Sequence, residues 1–155
     1  MAIEVTAASA VPVTPAAAWE LLSDTSRYPD WVVGTDEVTR TDGHARDGST
    51  YDERNTILGP WKARTQWRVT EFEAPRRQVH VSGDVPLARE FQVVIEVAPE
   101  GEGSRVTVTL RGEMSGPLGG LFGKGMRPMV ERNNRRTVEQ FAELARRELA
   151  AHLPA

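Results

Sequence analysis

The chain contains no cysteine among its 155 residues. Disulfides and thiolate chemistry are therefore excluded, and the composition suits a reducing, cytoplasmic setting. Histidine is scarce as well. His44 falls in a turn, His80 in a strand and His152 in the tail. They lack ligand spacing, so neither a metal nor another cofactor is expected. No apolar run approaches the roughly 18 residues that a membrane span requires. The opening residues Met1 to Thr6 lack the basic region of a signal peptide. An excess of positive charge is missing too: the net charge of −3 argues against nucleic acid as the main partner. There is no Gly-x-Ser-x-Gly elbow, no phosphate loop and no dinucleotide fingerprint.

What is present is enough apolar material, 39% of residues, for one ordinary domain over 1–155. Ile3, Val5 and Ala7 alternate with Glu4 and Thr6, which predicts a first strand to about Val11. Thr14 is a good helix N-cap, and Pro15 suits the first helical position because it has no amide hydrogen to leave unpaired. Ala18, Trp19, Leu21 and Leu22 form that helix's apolar face. A second short helical turn follows over 27–31. Strands are then predicted over 36–41, 49–58, 61–72, 78–82, 88–98 and 105–114. The turns between them are short, which means an antiparallel meander.

The last element reads as a helix over 121–153, firm only from about Pro128 because Gly123, Gly125 and Pro128 weaken its first turns. Val130, Asn134, Val138, Phe141, Ala145 and Leu149 recur at helical spacing, apolar toward the C-terminus and polar near the middle. This order of elements describes an α+β helix-grip domain, in which a curved antiparallel sheet wraps around a long C-terminal helix. A cavity between sheet and helix is expected to hold an apolar small molecule. Gly119, Gly120, Gly123 and Gly125, which flank Leu121, Phe122 and Met126, either ease the strand-to-helix turn or form a mobile gate.

Alternation assigns side chains to the two faces of each strand. Trp61, Ala63, Thr65, Trp67 and Val69 turn inward, as do Phe91, Val93, Ile95 and Val97, then Val106, Val108, Leu110 and Met114. Strand 49–58 breaks the apolar pattern, because the inward face that carries Tyr51 and Ile57 also carries Glu53 and Asn55. An unpaired carboxylate there would be costly in a dry core. Glu53 is therefore either part of a polar cavity floor, or it pairs with Arg89 or another cation. Glu53 and Tyr51 are the candidates for acid/base work. Trp31, Thr65, Trp67, Phe91, Val93 and Met114 join Tyr51, Glu53 and Asn55 as candidate ligand contacts. Met126, Met129, Asn133 and Thr137 complete that set from the last helix. The basic residues of that helix, Lys124 to Arg147, interleave with glutamates and read as a solvated face.

Val13-Thr14-Pro15-Ala16-Ala17-Ala18-Trp19, Arg27-Tyr28-Pro29-Asp30-Trp31 and Glu71-Phe72-Glu73-Ala74-Pro75-Arg76-Arg77, in this order and with the long last helix, resemble the START-like (SRPBCC) superfamily. Within it the chain is similar to the bacterial polyketide cyclase/dehydrase-like group. Two departures stand out. The turn around Gly43 and Gly48 lacks the glycine-rich loop of the plant allergen branch, and Gln78 stands where the group usually places an aliphatic residue. The resemblance implies a binder of a hydrophobic, ring-containing metabolite, monomeric or weakly dimeric. The alternatives are a polyketide aromatase/cyclase or dehydratase, and a regulatory protein that works through the basic helix face without a ligand.

Overall fold

The computed structural model describes residues 2–151, and in it the alternating segments form one antiparallel sheet of seven strands. The strands are β1 (Ala2–Val11), β2 (Thr35–Thr41), β3 (Thr50–Leu58), β4 (Trp61–Glu73), β5 (Arg77–Ser82), β6 (Ala88–Glu100) and β7 (Gly103–Met114). Their spatial order is β1-β7-β6-β5-β4-β3-β2. From β2 to β7 each strand pairs with the next in sequence, and β1 closes the far side on β7 from Ala2↔Glu113 to Val11↔Ser104. Gly59, at φ 53°, turns β3 into β4, and Gly101, at φ 58°, turns β6 into β7. Both need a left-handed backbone that a side chain would disfavour.

Helices α1 (Pro15–Ser23) and α2 (Tyr28–Trp31), with a 3₁₀ turn over Thr25–Arg27 between them, connect β1 to β2. Thr14 caps α1 by accepting a hydrogen bond from the Ala17 amide at 3.3 Å. The buried face of α1 carries Ala18, Trp19 and Leu22, and the Trp19 ring lies 5.0 Å from Phe72 of β4. These helices are too short to persist alone, so contact with the sheet is what orders them.

The final helix, α3, spans Gly116–Ala151 and crosses the concave side of the sheet. At 36 residues it extends about 54 Å. Its C-terminal half buries Val138, Phe141, Ala142, Leu144 and Ala145. Phe141 meets Trp31 of α2 edge-on at 5.1 Å between ring centres. This is the aromatic centre of the core.

The start of α3 corrects the sequence reading. The helix begins at Gly116, not near residue 121 or 128, and it runs through Pro128. Gly119 and Gly123 are needed for packing there. A Cβ on Gly119 would sit 2.9 Å from the Leu87 carbonyl oxygen, and one on Gly123 would sit 2.7 Å from Ile3 Cδ1. The Ser115 amide also donates to the Leu87 carbonyl at 2.8 Å, which ties the helix entry to the loop that leads into β6. Close approach to the sheet supplies the stability that glycine propensity withholds.

Two further expectations need revision, and the outer sheet face adds a third observation. Trp61 keeps the inward face, since its ring meets Phe122 of α3 at 5.7 Å, but at the first position of β4 it is left exposed and not buried as a core residue would be. Leu149 is exposed, because the buried stripe of α3 ends at Ala145. The outer sheet face is not uniformly wet, since Val79 and Val94 pair across β5 and β6 and are both buried there. The predicted helix end at 153 and His152 lie outside the described residues.

The two kinds of glycine in α3 respond oppositely to alanine. Gly125 is exposed with nothing within 4 Å of an added Cβ, so Gly125→Ala should stabilise the protein by up to about 1 kcal/mol. Gly119→Ala must displace backbone and should cost about 1–3 kcal/mol. Urea unfolding of both variants measures the difference; two stabilising substitutions would refute the close packing.

Candidate functional site

Where α3 crosses the sheet, its apolar C-terminal half fills the concavity and its middle does not. A cavity of about 250 Å³ remains between β3–β7, α2 and α3. Its walls are mostly apolar and include Trp67 and Phe91, whose rings meet edge-on at 6.4 Å, with Val93, Leu110 and Met114 beside them. All thirteen residues proposed from sequence border this space: Trp31, Tyr51, Glu53, Asn55, Thr65, Trp67, Phe91, Val93, Met114, Met126, Met129, Asn133 and Thr137. Phe91 fits above Gly112, where a Cβ would approach its ring to 3.1 Å.

The floor is polar because β3 and β4 place four hydrogen-bonding side chains on the same face. Register pairs Glu53 with Thr65, Tyr51 with Trp67 and Asn55 with Ala63. Trp67 Nε1 donates to Thr65 Oγ1 at 2.8 Å, and Thr65 Oγ1 donates to Asn55 Oδ1 at 2.6 Å. Asn55 Nδ2 then donates to Glu53 Oε2 at 2.9 Å. The chain of donors ends on the carboxylate.

Glu53 is 5% exposed, and among the described residues no cation pairs with it. The expected alternative partner Arg89 is exposed, so that pairing is not formed. Burial pushes the Glu53 carboxyl up to about 7, and the hydrogen bond from Asn55 pulls it back only in part. A carboxyl poised near neutrality can give or take a proton at physiological pH.

A second polar chain runs beside it. Tyr51 Oη lies 2.6 Å from His80 Nδ1, His80 Nε2 lies 2.7 Å from Gln78 Oε1, and Gln78 Nε2 donates to Ser23 Oγ of α1 at 3.3 Å. All four residues are buried. Burial lowers His80 to about 3, so its imidazole is neutral, and burial raises Tyr51 well above its ordinary value, so its hydroxyl stays protonated. Sequence reasoning set His80 aside because it looked for metal-ligand spacing. The available signal was different: Gln78, His80 and Ser82 alternate on the inward face of one strand, a polar row where a core strand would be apolar.

The helix contributes polar groups too. Asn134 Nδ2 donates to the Val108 carbonyl of β7 at 2.9 Å, and Thr137 Oγ1 accepts from the Val33 amide at 3.0 Å. These bonds to neighbouring strand and loop account for two of the polar positions in the helix stripe. Asn134 Oδ1 and Trp31 Nε1 are buried without a hydrogen-bond partner.

Residues 2–146 match the family model described as polyketide cyclase/dehydrase and lipid transport. The chain belongs to that family. An uncharacterised protein of Mycobacterium tuberculosis is 28% identical over 142 residues, which span 86% of this chain and 92% of that one. The aromatase/cyclase Zhui from Streptomyces sp. R1128 superposes with a TM-score of 0.80 at 17% identity, over 98% of this chain and 99% of that one. The di-domain aromatase/cyclase StfQ of the steffimycin biosynthetic pathway gives 0.78 at 11% identity; the match covers 97% of this chain and 52% of StfQ, about half its length. At such identities these two structures establish a shared helix-grip fold. No helix among the described residues is long and apolar enough to cross a membrane.

The raised Glu53 carboxyl has a consequence for stability. Between the unfolded value near 4.5 and the folded value near 7, the folded protein holds a proton that the unfolded chain has lost. Stability from this group is therefore full below about pH 4.5 and lost as pH rises through 7. The loss is on the order of 3 kcal/mol. His80 acts with the opposite sign, losing stability as pH falls from 6.5 toward 3, so the wild-type profile alone blends the two. The difference between wild type and Glu53→Gln isolates Glu53. The variant should gain on wild type by up to about 3 kcal/mol from pH 4.5 to 8, and a difference constant with pH would place Glu53 in water.

Proposed function

We propose that the protein binds a hydrophobic, ring-containing small molecule bearing at least one hydroxyl or keto group, in the cavity between the concave sheet and α3. The observation that carries this reading is the unfilled space itself, with aromatic and aliphatic walls and a polar floor gathered on β3, β4 and β5. Flat apolar walls suit the faces of a ring system. Glu53, Asn55 and Tyr51 supply the few oriented polar groups that fix its position. Membership in a family described by polyketide cyclases, dehydrases and lipid transport supports the same ligand chemistry.

One feature favours catalysis as a second reading: the Glu53 carboxyl, held near 7, faces the ligand space. In its ionised form Glu53 can remove a proton from carbon next to a ring carbonyl. As the acid so formed, it returns that proton to a hydroxyl on the adjacent carbon. The C–O bond breaks, water leaves, a C=C bond forms and the carboxylate is restored. The balance is that of a dehydratase or aromatase/cyclase acting on a poly-β-keto or partly reduced ring.

Protein isolated from its own host should carry a small molecule in native mass spectrometry, and Val93→Phe should remove it by filling the cavity without loss of melting temperature. Glu53→Gln should fold normally and lose about tenfold in affinity for a hydroxylated aromatic, as expected when a charge-assisted hydrogen bond is removed. Equal affinity of wild type and Val93→Phe for such a compound would rule out this cavity as the binding site.

A further inference from the structure

The order of donors and acceptors along Ser23, Gln78, His80 and Tyr51 decides what the cavity can recognise. Ser23 and Gln78 stand 3.3 Å apart, well beyond the 2.5–3.0 Å of an O–H···O bond and just past the 2.7–3.2 Å of an N–H···O bond. The amide nitrogen of Gln78 is thus the donor to Ser23 Oγ, which leaves Gln78 Oε1 facing His80 Nε2 at 2.7 Å. A carbonyl oxygen only accepts, so His80 carries its proton on Nε2. The neutral imidazole then has a bare Nδ1, and the Tyr51 hydroxyl, 2.6 Å away, donates to it. Tyr51 has one proton and has committed it. Toward the cavity its oxygen offers lone pairs alone.

We infer that Gln78, itself held by Ser23, is a specificity-determining positioning residue: it fixes the His80 tautomer and so makes Tyr51 a hydrogen-bond acceptor toward the cavity. The ligand therefore carries a hydroxyl, phenolic or enolic, at this point and not a carbonyl. The inference rests on the ligand-binding reading above and sharpens it. It also separates the roles of the floor residues. Tyr51 cannot donate to an enolate while it is bonded to His80, so it orients a hydroxyl, and proton exchange is left to Glu53. The reverse chain would need a proton on Nδ1 and a Tyr51 hydroxyl free to donate to a carbonyl.

Two measurements test this separately. Imidazole ¹⁵N spectra of uniformly labelled wild-type protein should show one buried histidine as the Nε2–H tautomer; an Nδ1–H tautomer or a doubly protonated ring would overturn the inference without use of any ligand. Binding of 9-fluorenol and 9-fluorenone, which share a skeleton and differ in hydroxyl against carbonyl, then reads the specificity at pH 8. Wild type should favour the alcohol, and Gln78→Leu, which frees the tautomer, should reduce that preference by about three- to tenfold. Gln78→Glu keeps an acceptor opposite Nε2 and should retain both tautomer and preference, which guards against a poorly folded leucine variant. An unchanged preference in Gln78→Leu despite a changed tautomer would overturn the specificity. If neither compound binds wild type while the tautomer is as expected, the ligand class fails and the specificity falls with it, whereas the lock on His80 stands.

Discussion

The edge-on contact between Phe141 of α3 and Trp31 of α2 sets where everything else can lie. Both side chains are almost fully buried, and they pin the C-terminal half of α3 into one end of the sheet's concavity. At the other end, Gly119 and Gly123 let the helix approach Leu87 and Ile3 closely. A stiff helix held at two ends spans whatever lies between them. Between them Asn134 reaches the Val108 carbonyl of β7 at 2.9 Å, while the side chains around Met126, Met129 and Asn133 leave part of the gap unfilled. The cavity is thus what remains where a long helix, anchored at both ends, crosses a curved sheet.

That geometry also explains the electrostatics. Glu53 and His80 sit on strands whose inward face is removed from water by α3, α2 and the aromatic walls. For both groups desolvation is the leading cause of the shift, and it acts in the same sense, toward the uncharged form. Their environments differ in what opposes it. Glu53 receives a donor that favours the ionised state, so it stops near neutrality, whereas burial alone sets the direction for His80 and it remains neutral throughout the physiological range. Glu53 on β3 and His80 on β5 both border the cavity, and they bring different protonation behaviour to it: the carboxyl titrates near neutrality and the imidazole stays uncharged.

Much of this was readable from the residues. The alternation of β3 placed Tyr51, Glu53 and Asn55 on one inward face, and the structure pairs that face with Trp67, Thr65 and Ala63. Period-two patterning is decisive wherever one sheet face is buried, because a register slip would turn every side chain over. Local rules failed where tertiary contact overrode them. Glycines near the start of α3 read as helix-weakening because propensity describes an isolated helix, and the compensating contacts with Ile3 and Leu87 come from distant sequence. Alternation assigned Trp61 its face but could not tell that it stays exposed, because it says nothing about where the core along a strand ends.

His80 was lost for a different reason. A histidine is informative through its partners, and here these are Tyr51 on β3, Gln78 two residues away and Ser23 on α1, the last linked only through Gln78. No spacing rule connects residues 23, 51 and 80. The row Gln78, His80, Ser82 nevertheless carried the clue, because three polar side chains on an inward face must find partners or strand unsatisfied groups in the core. Ser82 Oγ accepts from the nearby Asp84 amide at 3.2 Å, while Gln78 and His80 reach Ser23 and Tyr51, and each bond of that relay leaves its acceptor or donor committed for the next. A buried row of this kind transmits polarity: the direction of the first bond, between an amide and a serine, determines whether the last oxygen greets a ligand as donor or acceptor.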